Sequence, residues 1–184
     1  MVHMLEMDAL TALNGLCYNV FKQGNTTPRG GTIQMPEVVT QLSPQLISQL
    51  NKETLVLLCT MDAEHGSPMT NAISWVYAVN ASTLRLALDG RSRIVANIRA
   101  NERVNATIFA EGTVQVICGK AKIVSESLED VPFTLVCMDI AIDSVRDGMF
   151  YGARISAEPA YEKTYDLRAA KKLDDQVFAA MKKA

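Results

Sequence analysis

The chain has 184 residues, 48% of them hydrophobic and 21% charged, with a formal net charge of -2 and a sequence pI near 5.7. That length can bury an adequate single core, the composition is that of an ordinary globular protein, and the mild acidity argues against non-specific nucleic-acid binding. No run approaches the ~18 consecutive apolar residues of a membrane span, and the N-terminus lacks the basic start and apolar core of a signal peptide, so a cytoplasmic protein without membrane contact is expected.

Residues 8–22 place Leu10, Leu13, Leu16, Cys17, Val20 and Phe21 at helical spacing, which predicts an amphipathic helix. Residues 23–31 are rich in Gly, Asn, Thr and Pro and form a flexible connection. Together they make an extension over residues 1–34, ahead of a domain over 35–184; a lid, a dimer arm and a partly disordered tail all fit it, and a structural arm is the favoured expectation. Ser43-Pro44 reads as an N-cap and first helical residue, opening a helix to about Lys52 with Leu46, Ile47 and Leu50 inward. Thr54 to Met61 is nearly all apolar, as in a strand covered on both faces. Asp62 to Pro68 is a polar turn in which His65 is solvated.

Met69 to Val79 follows as one partner strand, with Asn71, Ile73, Trp75 and Tyr77 on one face and Thr70, Ala72, Ser74 and Val76 on the other. Asn80-Ala81-Ser82 closes a hairpin. Leu84, Leu86 and Leu88 then alternate with Arg85, Ala87 and Asp89, the period of a strand with one buried face. Asp89-Gly90 breaks the strand, and Ser92 caps a helix of about two turns whose apolar stripe is Ile94, Val95 and Ile98. Asn101-Glu102 ends it. Val104, Ala106, Ile108 and Ala110 alternate again, Glu111-Gly112-Thr113 turns the chain, and Val114 to Val124 makes a long ladder strand.

Beyond it, Ser127 to Asp130 resembles a capping box. The all-round apolar run Phe133 to Ile142 is expected to be a helix buried on more than one side. Tyr151 to Ile155 reads as a last strand. Asp166 to Lys183, with Leu167, Ala170, Leu173, Val177, Phe178 and Met181 on one stripe, predicts an amphipathic helix, with Lys171-Lys172 and Asp174-Asp175 on its solvated face.

Cys17, Cys59, Cys118 and Cys137 stand singly among apolar residues without a CxxC pair, which reads as buried reduced thiols. The histidines, His3 and His65, lie near no cysteine, so no metal site is expected. Neither a Ser-His-Asp nor a Cys-His nor a paired-carboxylate arrangement stands out, and no catalytic residue is assigned. The start of the helix after Ser92 is the one chemically suggestive place. Free backbone N–H groups, the Ser92 hydroxyl and the guanidinium groups of Arg91 and Arg93 can converge there on one phosphate. The same residues also fit an ordinary capped helix with two solvated arginines.

Residues 54–126 resemble the FMN-binding split barrel of the pyridoxamine 5'-phosphate oxidase-like superfamily. The resemblance is carried by the order strand, Ser92-Arg93, apolar helix ending Asn97-Ile98, Asn101-x-Arg103-Val104, then Gly119-Lys120-Ala121. It implies an antiparallel split β-barrel of the α+β, mostly β class, with flanking helices, an N-terminal helical extension and a C-terminal amphipathic helix. It also implies FMN, with its phosphate at Arg91, Ser92 and Arg93. The remaining contacts would come from Asn71, Ala72, Ile73 and Ser74 on the ring-bearing strand and from Leu88 and Asp89.

Where the biosynthetic oxidase of that superfamily continues its Ser-Arg with Lys, this chain has Ile94. Where that enzyme carries an arginine near the start of the ring-contacting strand, this chain has Asn71-Ala72. Both departures argue against vitamin B6 oxidation. The expectation is an FMN-dependent oxidoreductase on an unidentified small substrate; the alternative is a non-catalytic flavin- or haem-binding dimeric module. A homodimer is expected because the strand at Thr54, the Met69 to Val79 strand and the apolar run at Phe133 offer more apolar surface than one barrel covers.

Overall fold

The computed structural model describes residues 39–184; the expected helix of residues 8–22, the connection of residues 23–31 and the domain boundary after residue 34 lie outside the described residues. Ser43 caps α1 (Pro44–Leu50), its hydroxyl accepting from Leu46 N at 3.0 Å, and Pro44 takes the first helical position, where a missing N–H costs nothing. Leu46 and Leu50 of α1 are buried.

Seven strands follow: β1 (Val56–Met61), β2 (Pro68–Ile73), β3 (Val76–Asn80), β4 (Thr83–Asp89), β5 (Arg103–Ala110), β6 (Thr113–Ser125) and β7 (Leu135–Asp147). Helix α2 (Arg93–Ala100) lies between β4 and β5, and α3 (Leu167–Lys183) ends the chain. The sheet order is β2-β1-β5-β6-β7-β4-β3, every ladder antiparallel. β2 and β3 are consecutive in sequence yet stand at opposite edges, so the sheet curls round one core and stays split between them. Leu58, Leu84, Leu86, Ile108, Ile117, Met138 and Ile140 fill that core. This is the expected antiparallel split barrel with its C-terminal amphipathic helix.

From Thr83 to Ser125 the structure follows the alternation closely. Leu84, Leu86 and Leu88 point into the core, and Glu111 and Gly112, at φ 55 and 75, form the two-residue turn that matches the twist of β5 and β6.

Elsewhere the structure corrects the sequence. Phe133 to Ile142 contains no helix: Leu135 onward is β7, between β6 and β4. Leu135 and Cys137 face α3 while Val136, Met138 and Ile140 face the barrel, so both sides of the strand are apolar for opposite reasons. An apolar run of this length does not distinguish a buried helix from a doubly covered strand. The expected strand from Met69 to Val79 breaks at Ser74-Trp75, where Val76 N donates to Ser74 O at 2.9 Å. The facing set flips there: Ile73 packs on the barrel core, as do Val76 and Ala78, while Trp75 and Tyr77 belong to the cluster under α3. Residues 151–155 form no strand and meet the β5–β6 turn through one bond, Ile155 N to Gly112 O at 2.6 Å. β1 alternates, with Val56 and Leu58 buried and Leu57 and Cys59 half-buried, rather than being covered on both faces.

Helix α3 docks with Val177, Ala180 and Met181 on Tyr77, Ala87, Leu135 and Cys137. Its last turn is capped by a cation: Arg85, held bidentately by Asp139 at 2.6 and 2.8 Å, donates to Met181 O at 3.0 Å. The expected solvated face of α3 holds for Asp175 but not for Asp174. Asp174 is 8% exposed and accepts from the Trp75 indole N–H at 2.9 Å and from Lys163. Burial works against the Lys163 charge, but the carboxylates of Asp174 and Glu53 raise its pKa and keep it protonated.

Candidate functional site

The turn from β4 into α2 is built by Asp89. Its carboxylate accepts from Arg91 N at 2.8 Å and from the Arg91 guanidinium at 3.1 and 2.9 Å, which holds the carboxyl down at about 2. Ser92 is extended, at φ -69 and ψ 148, and its hydroxyl caps α2 by accepting from Val95 N. Arg93 leaves on the other side. Its Nε lies 3.0 Å from Asp62 Oδ2 and its Nη2 donates to Glu64. The two guanidinium groups thus pair with carboxylates on different loops, and Arg93 alone joins the loop after β1.

That loop is organised by Asp62, which is 8% exposed. Its carboxylate accepts from Glu64 N at 3.0 Å, His65 N at 2.9 Å and His65 Nδ1 at 3.1 Å, besides Arg93. Asp62, Glu64 and His65 bring their ligand atoms within 4.8 Å of one another, and the Arg93 guanidinium supplies positive charge among them. The His65 backbone N–H, aided by its ring, Glu64 N and the Arg93 charge, holds the Asp62 carboxyl below its ordinary value of 3.8. A lowered pKa stabilises the fold above the unfolded-state value and loses that contribution as pH falls through the folded one. Acid titration below about pH 4 is therefore expected to loosen the loop, and Asp62→Asn should flatten that part of the stability–pH curve, read by thermal melts.

Asn97 is the site residue that the sequence reading passed over as a marker of the helix end. It is fully buried; its Oδ1 accepts from Ala63 N at 2.9 Å and its Nδ2 donates to Thr60 Oγ1 at 3.0 Å. The Met69 sulfur on β2 lies 4.0 Å away. One amide therefore ties α2 to β1, to the loop and to the start of β2. Its signal in the sequence is a carboxamide on the buried stripe of a short helix, where an unpaired amide would be costly.

The β2 residues lie in register on a strand that, among the described residues, pairs with β1 alone, so its outer row of N–H and C=O groups has no strand partner there. Ala72 is exposed, while Asn71 and Ile73 point the other way and are half-buried. The Asn71 Oδ1 is buried and has no hydrogen-bond partner among the described residues. Ser74 is half-buried at the break, with the Tyr161 hydroxyl beside it. Leu88 is 6% exposed and packs in the core, and Asp89 is engaged by Arg91. Of the expected set, Arg93, next to the Ser92 cap, joins the β1–β2 loop, and α2 reaches β2 through Asn97. Asp89 and Arg91 form a separate pair.

A family profile described as pyridoxamine 5'-phosphate oxidase matches residues 42–163. No curated protein matches the chain. Among solved structures, a protein provisionally assigned as a pyridoxamine 5'-phosphate oxidase from Lactobacillus delbrueckii superposes with a TM-score of 0.51 at 17% identity, covering 61% of this chain and 98% of its own. HupZ of Group A Streptococcus gives 0.48 at 12% identity, covering 65% and 99%. An F420 reductase gives 0.47 at 15% identity, covering 53% and 93%. The first of these supports the fold. With the profile matched over most of its length and the split barrel in place, the chain belongs to the pyridoxamine 5'-phosphate oxidase-like family of FMN-binding split barrels.

Proposed function

We propose that the chain binds FMN and works as a homodimeric FMN-dependent oxidoreductase on a small substrate other than a vitamin B6 phosphate. The observation that supports this best is the edge of β2, whose outer row of N–H and C=O groups has no strand partner among the described residues, on a strand that Asn97 ties to α2, the helix whose start holds Ser92 and Arg93. A flavin offers what such a strand lacks, a flat ring with a hydrogen-bonding edge, and Ala72 leaves the exposed face of β2 low enough for a ring to approach.

The phosphate fits Arg93 by exchange. Glu64 has a side chain 70% exposed, and such surface pairs are worth about 0–1 kcal/mol, whereas a charge-assisted bond to phosphate is worth about 1.5–3 kcal/mol. Asp62 meanwhile keeps the guanidinium oriented. Bound flavin supplies hydride or single-electron transfer; the chain supplies the phosphate grip, the strand edge and the loop that fixes Arg93. One phosphate cradle, without a GxGxxG turn, favours FMN over FAD.

The homodimer no longer draws on a helix at Phe133, since that run is β7. It draws instead on the outer face of β1, β5 and β6. Leu57, Met61, Phe109, Val114 and Val116 are half-buried there and, among the described residues, belong to neither core cluster. A second copy covers such a face most simply.

The visible spectrum of the purified protein tests the cofactor. Oxidised-flavin bands that bleach with reduced nicotinamide are expected, followed in titration by tighter binding of FMN than of FAD. A haem band, or FAD binding at least as tightly, rejects the proposal. Sedimentation at micromolar concentration should give twice the chain mass; a folded monomer removes the dimer.

A further inference from the structure

We propose a second ligand site, for a small aromatic anion, in the cleft between the start of α2 and the start of β7. The cleft has a volume of about 530 Å³ and is lined by Gly90, Phe133, Thr134 and Val136 and by two arginine–carboxylate pairs, Arg91 with Asp89 just before α2 and Arg99, near the end of α2, with Glu126. It is independent of the flavin proposal, since neither Arg93 nor any β2 residue lines it. Clefts of this volume are within the range that takes small molecules.

Phe133 is the central feature. It is 42% exposed, yet it does not fold away. Its ring stacks on Trp75 at a centroid distance of 6.2 Å and 27° between planes. Trp75 is fixed in turn by its indole N–H on the buried Asp174, at 2.9 Å. The exposed ring is therefore a backed platform, and a flat ring can stack on it without ordering a loose side chain. Gly90 keeps the floor open. A Cβ there would come within 3.3 Å of Val136 Cγ2 and 3.6 Å of Thr134 Cγ2.

The rim supplies the charge. Arg91 and Arg99 have side chains 90% and 52% exposed, paired with Asp89 at 2.9 Å and with Glu126 at 2.5 Å, both exposed themselves. The Arg99–Glu126 pair, a single bond between exposed side chains, holds little and exchanges readily, so the acid group of a ligand can replace Glu126 on that guanidinium fork, while Arg91 stays on Asp89. A ring platform beside one exchangeable guanidinium group selects a ligand with one aromatic ring and one acid group. An aliphatic acid would leave the platform unused, and a neutral arene would leave the Arg99 fork unused.

Trp75 is the only tryptophan, so its indole N–H gives a single resonance in a proton–nitrogen correlation spectrum. The full chain is titrated with benzoate and, separately, with phenyl phosphate, which distinguishes a carboxylate from a phosphate ligand; cyclohexanecarboxylate is the ringless control. Saturating shifts of the Trp75 indole and of the Gly90 and Thr134 amides are expected with at least one aromatic acid, and binding of the control about fivefold weaker or worse. Phe133→Leu, which keeps the apolar bulk and loses the ring, and Arg99→Gln should each weaken binding by about tenfold in a folded protein, whereas Arg93→Ala should leave it unchanged. Non-saturating shifts with both acids, shifts centred elsewhere, wild-type binding by Phe133→Leu and Arg99→Gln, or an equal loss in Arg93→Ala would each overturn the site.

Discussion

Arg93→Ala is expected to weaken FMN binding by about tenfold to over a hundredfold, the loss of one charge-assisted bidentate contact worth roughly 1.5–3 kcal/mol. The fold should survive. Arg93 has a side chain 48% exposed, and Asp62, the partner it leaves behind, keeps its bonds from Glu64 N, His65 N and the His65 ring. Arg91→Ala should do much less to FMN, because its guanidinium turns to Asp89 and not to the loop that holds Arg93. Glu64→Gln removes the competitor for the fork and should tighten FMN binding by a small factor, about two- to fivefold. Fluorescence titration of apo-protein reads all three. If Arg93→Ala binds FMN as the parent does while its melting temperature falls, Arg93 is a structural partner of Asp62 and Glu64, and the phosphate lies elsewhere.

What could be read in advance follows from where water is. Between Thr83 and Ser125 each strand has one buried face, so the alternation of leucines with polar residues, the Asp89-Gly90 break and the Glu111-Gly112 turn name the elements and their order. β7 escaped because α3 and the barrel cover its two faces, which erases the alternation over Leu135 to Met138; Asp139 and Asp143, four apart, fit one face of a helix as well as one face of a strand. The break at Ser74-Trp75 has no glycine or proline to announce it. It is made by tertiary demands, the need of Tyr77 to face α3 while Ile73 and Val76 face the core.

Charge partners were the least legible part of the site. Ser92 as a cap follows from local chemistry, but the separation of Arg91 and Arg93 depends on carboxylates at positions 89 and 62, the second of them on another strand's loop. Asp174 looked like half of a solvated charge run because its partners, Trp75 and Lys163, are distant in sequence.

Gly119→Ala should be the most damaging single-methyl change in the barrel, and the reason lies in the ladder that joins its two halves. β6 and β7 are the longest strands, and their register slips by one residue between Cys118 and Gly119. At that slip the backbones press together. A Cβ on Gly119 would overlap the Ala141 carbonyl oxygen and lie 2.8 Å from Ile140 Cγ2. A carbonyl fixed in a ladder cannot rotate aside as a flexible side chain would, so the strands must part or the slip must move. The expected cost is about 2–4 kcal/mol, or a melting point lower by roughly 5–15 °C for a protein of this size. Gly66→Ala is the control: it lies at φ +68 with no atom within 4 Å of its added methyl, so only backbone strain remains, about 1 kcal/mol. Urea unfolding of the two variants separates steric overlap from conformational strain. Equal midpoints would mean that the β6–β7 ladder relaxes around the methyl, and that Gly119 is not what closes the barrel at this seam.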